Sequence, residues 1–76
     1  MKLREFNFNS IPVRGLCIME EGAYTGEYGR CYEGFIGEVL RKIPLEWADR
    51  EIKTTRYFFD IFVIELKGDG TNEYDE

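Results

Sequence analysis

The hydrophobic pattern of this chain changes its period several times, and each change predicts an element. Residues 2–10 alternate loosely, with Leu3, Phe6 and Phe8 set among Lys, Arg, Glu and Asn, and fit either a short strand or a single helical turn, of which the strand is the expected one. Pro12 has no backbone N–H and disfavours helix at the residue before it, so a boundary falls near residues 10–12. Residues 13–20, VRGLCIME, are β-compatible and closed by Glu21-Gly22, which predicts a strand. Residues 31–40, CYEGFIGEVL, predict its antiparallel return, with Gly34 and Gly37 marking a bulge or a close backbone approach. Between the two, EGAYTGEYGR carries three glycines able to take positive φ where the chain reverses, as a long hairpin tip demands.

Pro44 suits the first position of a helix, and Leu45, Ala48 and Ile52 then share one face, so a short helix is expected over residues 44–52. Residues 53–66 hold the densest run of β-branched and aromatic side chains. A turn near Phe59-Asp60 would split it. Unbroken, it would place Tyr57, Phe59, Ile61 and Val63 on one face and Phe58, Phe62, Ile64 and Leu66 on the other, leaving neither face polar. One short helix covers one face of a small sheet, so the surplus apolar face is expected to be exposed or used in an interface. The expected fold is α+β, mostly β: a small antiparallel sheet of three to five strands with one short helix near residues 44–52.

Length and composition narrow the class. The chain has 76 residues, room for a single domain over residues 1–67, followed by a polar, acidic and flexible tail over 68–76. Six Phe, five Tyr and one Trp are many for such a length, and rings that bury about 150–250 Å² each let few residues build a core. The longest apolar stretches, Leu16-Cys17-Ile18-Met19 and Ile61-Phe62-Val63-Ile64, fall far short of the roughly 20 residues a membrane helix needs. No signal-peptide pattern opens the chain, so a cytoplasmic location is expected, with Cys17 and Cys31 as free thiols rather than a bridge.

The net charge of −5 argues against direct nucleic-acid or anionic-membrane binding, since a phosphate backbone is held by clustered Lys and Arg. The acid is blocked: residues 18–38 hold five Glu against one Arg, whereas residues 1–17 and 39–57 are each net positive.

Chemistry-bearing constellations are scarce. The chain has no His, which removes the commonest general base and the commonest metal ligand together. Ser10 is the only serine and stands outside any nucleophile-elbow context. Cys17 and Cys31 are too few for a tetrahedral zinc site. Gly22, Gly26 and Gly29 lack the spacing of a phosphate-binding loop, and Asp69, Asn72 and Asp75 lack that of a calcium loop. Asp60, between Phe59 and Ile61, is the acid best placed for burial; the other readings put it in a turn or in a pair with Arg56. Trp47 reads as core. No enzyme, cofactor or metal is therefore expected.

Four short runs, Tyr32-Glu33-Gly34, Ile43-Pro44, Asp49-Arg50-Glu51-Ile52 and Asp60-Ile61-Phe62-Val63-Ile64, resemble those of short proteins of unassigned function encoded by bacterial phages and integrative elements. The N-terminus departs from that pattern, where such proteins often open with a clearer amphipathic helix. The resemblance implies a mobile-element gene and, by analogy with small acidic proteins of such elements, an inhibitor of a host defence nuclease of the anti-CRISPR type.

Two functional expectations follow. In the first, Glu20, Glu21, Tyr24, Glu27 and Tyr28 of the hairpin meet a protein partner, such as a basic nucleic-acid-binding enzyme, because Tyr supplies contact area at little entropic cost. In the second, a structural or assembly protein forms a homodimer through Tyr57, Phe59, Ile61 and Val63.

Overall fold

The computed structural model describes residues 1–23 and 29–68. Four strands, β1 (Gly15–Glu20), β2 (Cys31–Phe35), β3 (Ile52–Phe58) and β4 (Ile61–Leu66), form one sheet in the order β2-β1-β4-β3. Among the described residues a single α-helix, α1 (Ile36–Lys42), follows β2. The fold is small, α+β and mostly β. The sheet is mixed: β1 pairs antiparallel with β2 and parallel with β4, and β3 and β4 close an antiparallel hairpin. The two central strands read as near-continuous apolar runs, which is what burial on both faces requires.

Local structure departs from expectation in three places. The N-terminal stretch is two 3-10 turns, Leu3–Glu5 and Phe8–Ser10, with only Lys2 bridging to Glu51. Asn7 and Ser10 explain the second turn: Asn7 Oδ1 accepts the Asn9 N–H at 3.1 Å, and Ser10 Oγ donates to the Asn7 carbonyl at 2.7 Å. Such short polar side chains compete with strand pairing for backbone groups.

The return strand stops at Phe35 and becomes α1. Ile36, Val39 and Ile43 repeat at helical spacing and pack on the core, while Glu38 in the first turn and Arg41 and Lys42 in the last complement the helix dipole. Over residues 44–52, by contrast, only a 3-10 helix forms, Leu45–Asp49. At three residues per turn it turns Trp47 inward, leaves Leu45 93% exposed, and releases Ile52 to begin β3.

The core lies on one face of the sheet, where Leu16, Ile18, Phe62, Ile64 and Leu66 meet Leu3, Val39 and Trp47. Phe6 stacks on Phe62 at 5.5 Å and meets Phe8 edge-on at 5.0 Å, so the N-terminal turns serve as a lid of that core. No helix among the described residues is long and apolar enough to cross a membrane.

Candidate functional site

The 3-10 turns, α1 and the Trp47 segment all pack on the same face; on the opposite face, the open face, Cys17, Met19 and Val63 of the central strands are buried and the edge-strand residues around them, Phe35 and Phe58 among them, are exposed. The register places the side chains of the open face in three rows running across the strands. The first row is Phe35, Gly15, Ile61 and Phe58; the second is Glu33, Cys17, Val63 and Arg56; the third is Cys31, Met19, Glu65 and Thr54. Cys17, Met19 and Val63 form an apolar floor joined by Ala23 and Ile61. Glu33 on one side and Arg56 and Phe58 on the other wall a cleft of about 220 Å³ above it.

The first row ends in exposed aromatics. Phe35 is 63% exposed, Phe58 59% and Phe59 86%. Phe58 and Phe59 pack edge-to-face at 4.7 Å. Phe59 occupies the first position of the two-residue turn joining β3 to β4 and has φ +57°, a conformation a bulky side chain rarely adopts. A strained and exposed aromatic at a hairpin tip is costly by itself, and such positions concentrate at functional surfaces.

The expected interface residues separate. The turn at Phe59-Asp60 splits the 53–66 run, so Tyr57 lies opposite Phe62 on the core face, its ring 4.8 Å from that of Phe62. Ile61 and Val63 lie on the open face beside Phe58, and Phe59 lies in the turn. Asp60 is exposed in that turn, not buried, and its carbonyl accepts the Gly15 N–H at 3.3 Å. Phe35 joins the open face from β2, a position that no pattern within its own segment signals.

At the other end of β1 the acids of the expected partner surface are engaged within the chain. Glu20 Oε1 accepts the Arg30 N–H at 2.8 Å, and Glu20 Oε2 accepts Arg50 Nη1 at 2.8 Å. Burial opposes the charge of Glu20, but these bonds from Arg50 and Arg30 prevail and hold its carboxyl below the usual range. Glu21 accepts from Lys53 Nζ at 2.6 Å and from the Gly68 N–H at 2.8 Å, and the Lys53 bond leads in lowering its pKa. The guanidinium carbons of Arg30 and Arg50 stand 5.2 and 5.7 Å from the centre of the Trp47 ring, so the Glu20 network caps the core. Tyr24, Glu27 and Tyr28 of the same surface, and the tail over residues 69–76, lie outside the described residues. Gly22 and Gly29, at φ 100° and 105°, take the positive φ expected of them at either side of the hairpin tip.

No protein-family model matches this chain, and neither a curated protein nor a solved structure does.

Among the described residues no cluster of three or more Cys, Asp or Glu is placed to hold a metal ion. What the open face offers is an apolar floor, one acidic wall, one basic wall and an aromatic end, an arrangement suited to docking a polypeptide surface.

Proposed function

We propose that this chain is a non-catalytic binding protein that docks another polypeptide on the open face of its sheet, anchored by Phe35, Phe58 and Phe59. The observation that carries this reading is the row of exposed aromatics beside the Cys17, Met19 and Val63 floor. Aromatic anchors around an apolar centre are the usual source of binding energy at an interface. Glu20 and Glu21 favour this face over the acidic hairpin, because their carboxylates already serve Arg50, Arg30, Lys53 and Gly68.

The occupant favoured by the row order is a second copy of the chain. A two-fold axis parallel to the strands, between β1 and β4, lays each open face on its copy and brings Glu33 of one chain over Arg56 of the other, twice. The same operation sets Phe35 over Phe58 and Cys17 over Val63. In these two rows the surface is self-complementary, as a two-fold interface requires, and the guanidinium of Arg56, with five donors, can serve more than one acceptor. Such a pair would be a small β-sandwich.

Sedimentation velocity over a wide concentration range tests this. A dimer that Phe58→Asp dissociates, that Glu33→Arg weakens, and that the double variant Glu33→Arg with Arg56→Glu restores would support it. A monomer at every concentration would remove the second copy as occupant. The remaining target would then be a foreign protein, and inhibition of a defence nuclease that Phe58→Asp abolishes would identify it as the inhibitor the sequence resemblance implies.

A further inference from the structure

Two nucleophilic side chains meet on the open face, and the docking surface just described does not need them as thiols. Cys17 sits on the floor of the cleft in β1, and Cys31 stands exposed at the start of the edge strand β2. Their register positions are diagonal, Cys17 opposite Glu33 and Cys31 opposite Met19, so both side chains rise from the same face. Their sulfurs are 3.2 Å apart, in S–H···S contact. A disulfide needs the sulfurs at about 2.05 Å, so closing the bond asks the two sulfurs to approach by roughly 1 Å.

We propose that Cys17 and Cys31 are a reversible dithiol–disulfide pair that locks the edge strand β2 onto β1. The two sulfurs have different parts to play. Cys31 is the one that solvent reaches, so its thiolate makes the first attack, on a low-molecular-weight disulfide such as oxidised glutathione. A Cys31–glutathione disulfide forms and one glutathione thiolate leaves. The Cys17 sulfur then attacks the Cys31 sulfur, breaking the mixed disulfide and expelling the second glutathione thiolate. The two cysteine protons end on the two glutathione thiols. Two cysteine thiols are oxidised by two electrons, and one glutathione disulfide is reduced to two glutathiones.

The burial of Cys17 makes the order of events strict. Burial first, and the hydrogen bond to Cys31 next, push its thiol up to about 12, which keeps it protonated and unreactive toward external oxidants. Capping Cys31 with glutathione removes both the hydrogen bond and the charge of that neighbour, so the inner thiol becomes easier to ionise only when its target is already in contact. Arg56 acts in the same direction and Glu33 against it. The bond would join residues 14 apart and would fix β2, whose strand partner among the described residues is β1.

The full chain, equilibrated with glutathione mixtures of rising oxidised fraction, quenched with acid and alkylated, is read by intact mass and peptide mapping. The expected product is a single chain, not cross-linked to a copy, lighter by two hydrogens, with both cysteines protected from alkylation and linked to each other, and fully reverted by reduced glutathione. Cys17→Ser should stop at a glutathione adduct on Cys31, and Cys31→Ser should leave Cys17 unmodified. Two glutathione adducts on the natural chain, two free thiols in fully oxidised buffer, or a disulfide between chains would each overturn the proposal. Because the natural chain is itself the test, a folding defect in either serine variant does not rescue it.

Discussion

Arg50 Nη1 donates a 2.8 Å hydrogen bond to Glu20 Oε2, while Arg50 Nη2 donates at 2.6 Å to the Lys67 carbonyl, so one guanidinium ties the end of β1 to the chain leaving β4. Both side chains of the pair are mostly buried, at 13% and 19% exposure for Arg50 and Glu20. Charge-assisted bonds in such a setting contribute about 1.5–3 kcal/mol. Glu20→Gln should therefore lower the stability measured by urea unfolding by roughly 1.5 kcal/mol at neutral pH, a value at the lower end because Gln still accepts hydrogen bonds. The exposed Glu21–Lys53 pair should count for much less, about 0–1 kcal/mol.

The same carboxylates set the pH dependence. The carboxyls of Glu20, Glu21 and Glu51 are all held below the usual range in the fold, Glu51 by its bond to the N-terminal ammonium. A depressed folded pKa contributes stability that is present above the unfolded value, about 4.3 for Glu, and is lost as pH falls through the folded values. Urea midpoints should be flat from neutral pH down to about 5 and then fall. In Glu20→Gln the acid fall should be shallower; an unchanged slope would show that the Arg50 pair does not couple to folding.

Trp47 is fully buried against Tyr32, whose ring meets it edge-on at 5.4 Å, and its indole N–H has no hydrogen-bond acceptor among the described residues. Trp47→Ala should cost about 3–5 kcal/mol, enough to unfold most of a chain this small. Trp47→Phe removes an unsatisfied buried donor worth about 1–3 kcal/mol while keeping an aromatic ring, so its cost should be under about 1 kcal/mol. Chemical denaturation of the two variants separates ring packing from the N–H.

Phe59 at φ +57° is the residue that the turn fits least. A left-handed conformation costs a bulky L-residue roughly 1–2 kcal/mol, and Asn tolerates it better. With Phe59 86% exposed, Phe59→Asn gives up little burial and should raise the thermal midpoint by roughly 4–8 °C for each kcal/mol of strain relieved. The same substitution should weaken whatever the aromatic end binds. Stabilisation with undiminished self-association or target binding would show that the ring is not an anchor.

Several features of the fold and of the candidate site were legible along the chain. The apolar runs in 13–20 and 53–66 gave strands, the glycines around residues 21–30 gave the reversal, and the surplus of apolar side chains over available cover pointed to an open face. The short helix after Pro44 forms as a 3-10 helix, and the α-helix at Ile36–Lys42 was not expected because a strand-compatible prefix partly hides the Ile36, Val39 and Ile43 spacing. Phe35 was missed as a surface residue because nothing within CYEGF tells which side of the sheet it will occupy.

The sequence by itself determined a small, mostly β domain with central strands apolar on both faces, because side-chain period and backbone propensity act over a few residues. The tertiary structure alone decided which residues meet. The parallel pairing of β1 with β4 sets Cys17 beside Val63, the two-residue turn at Phe59-Asp60 puts Tyr57 on the face of Phe62 and Phe58 on the face of Ile61, and the hairpin register brings Cys31 to Cys17. Each depends on strand order and register between residues far apart in the chain. A shift of one residue in pairing exchanges every side chain between core and open face, and no local pattern records that choice.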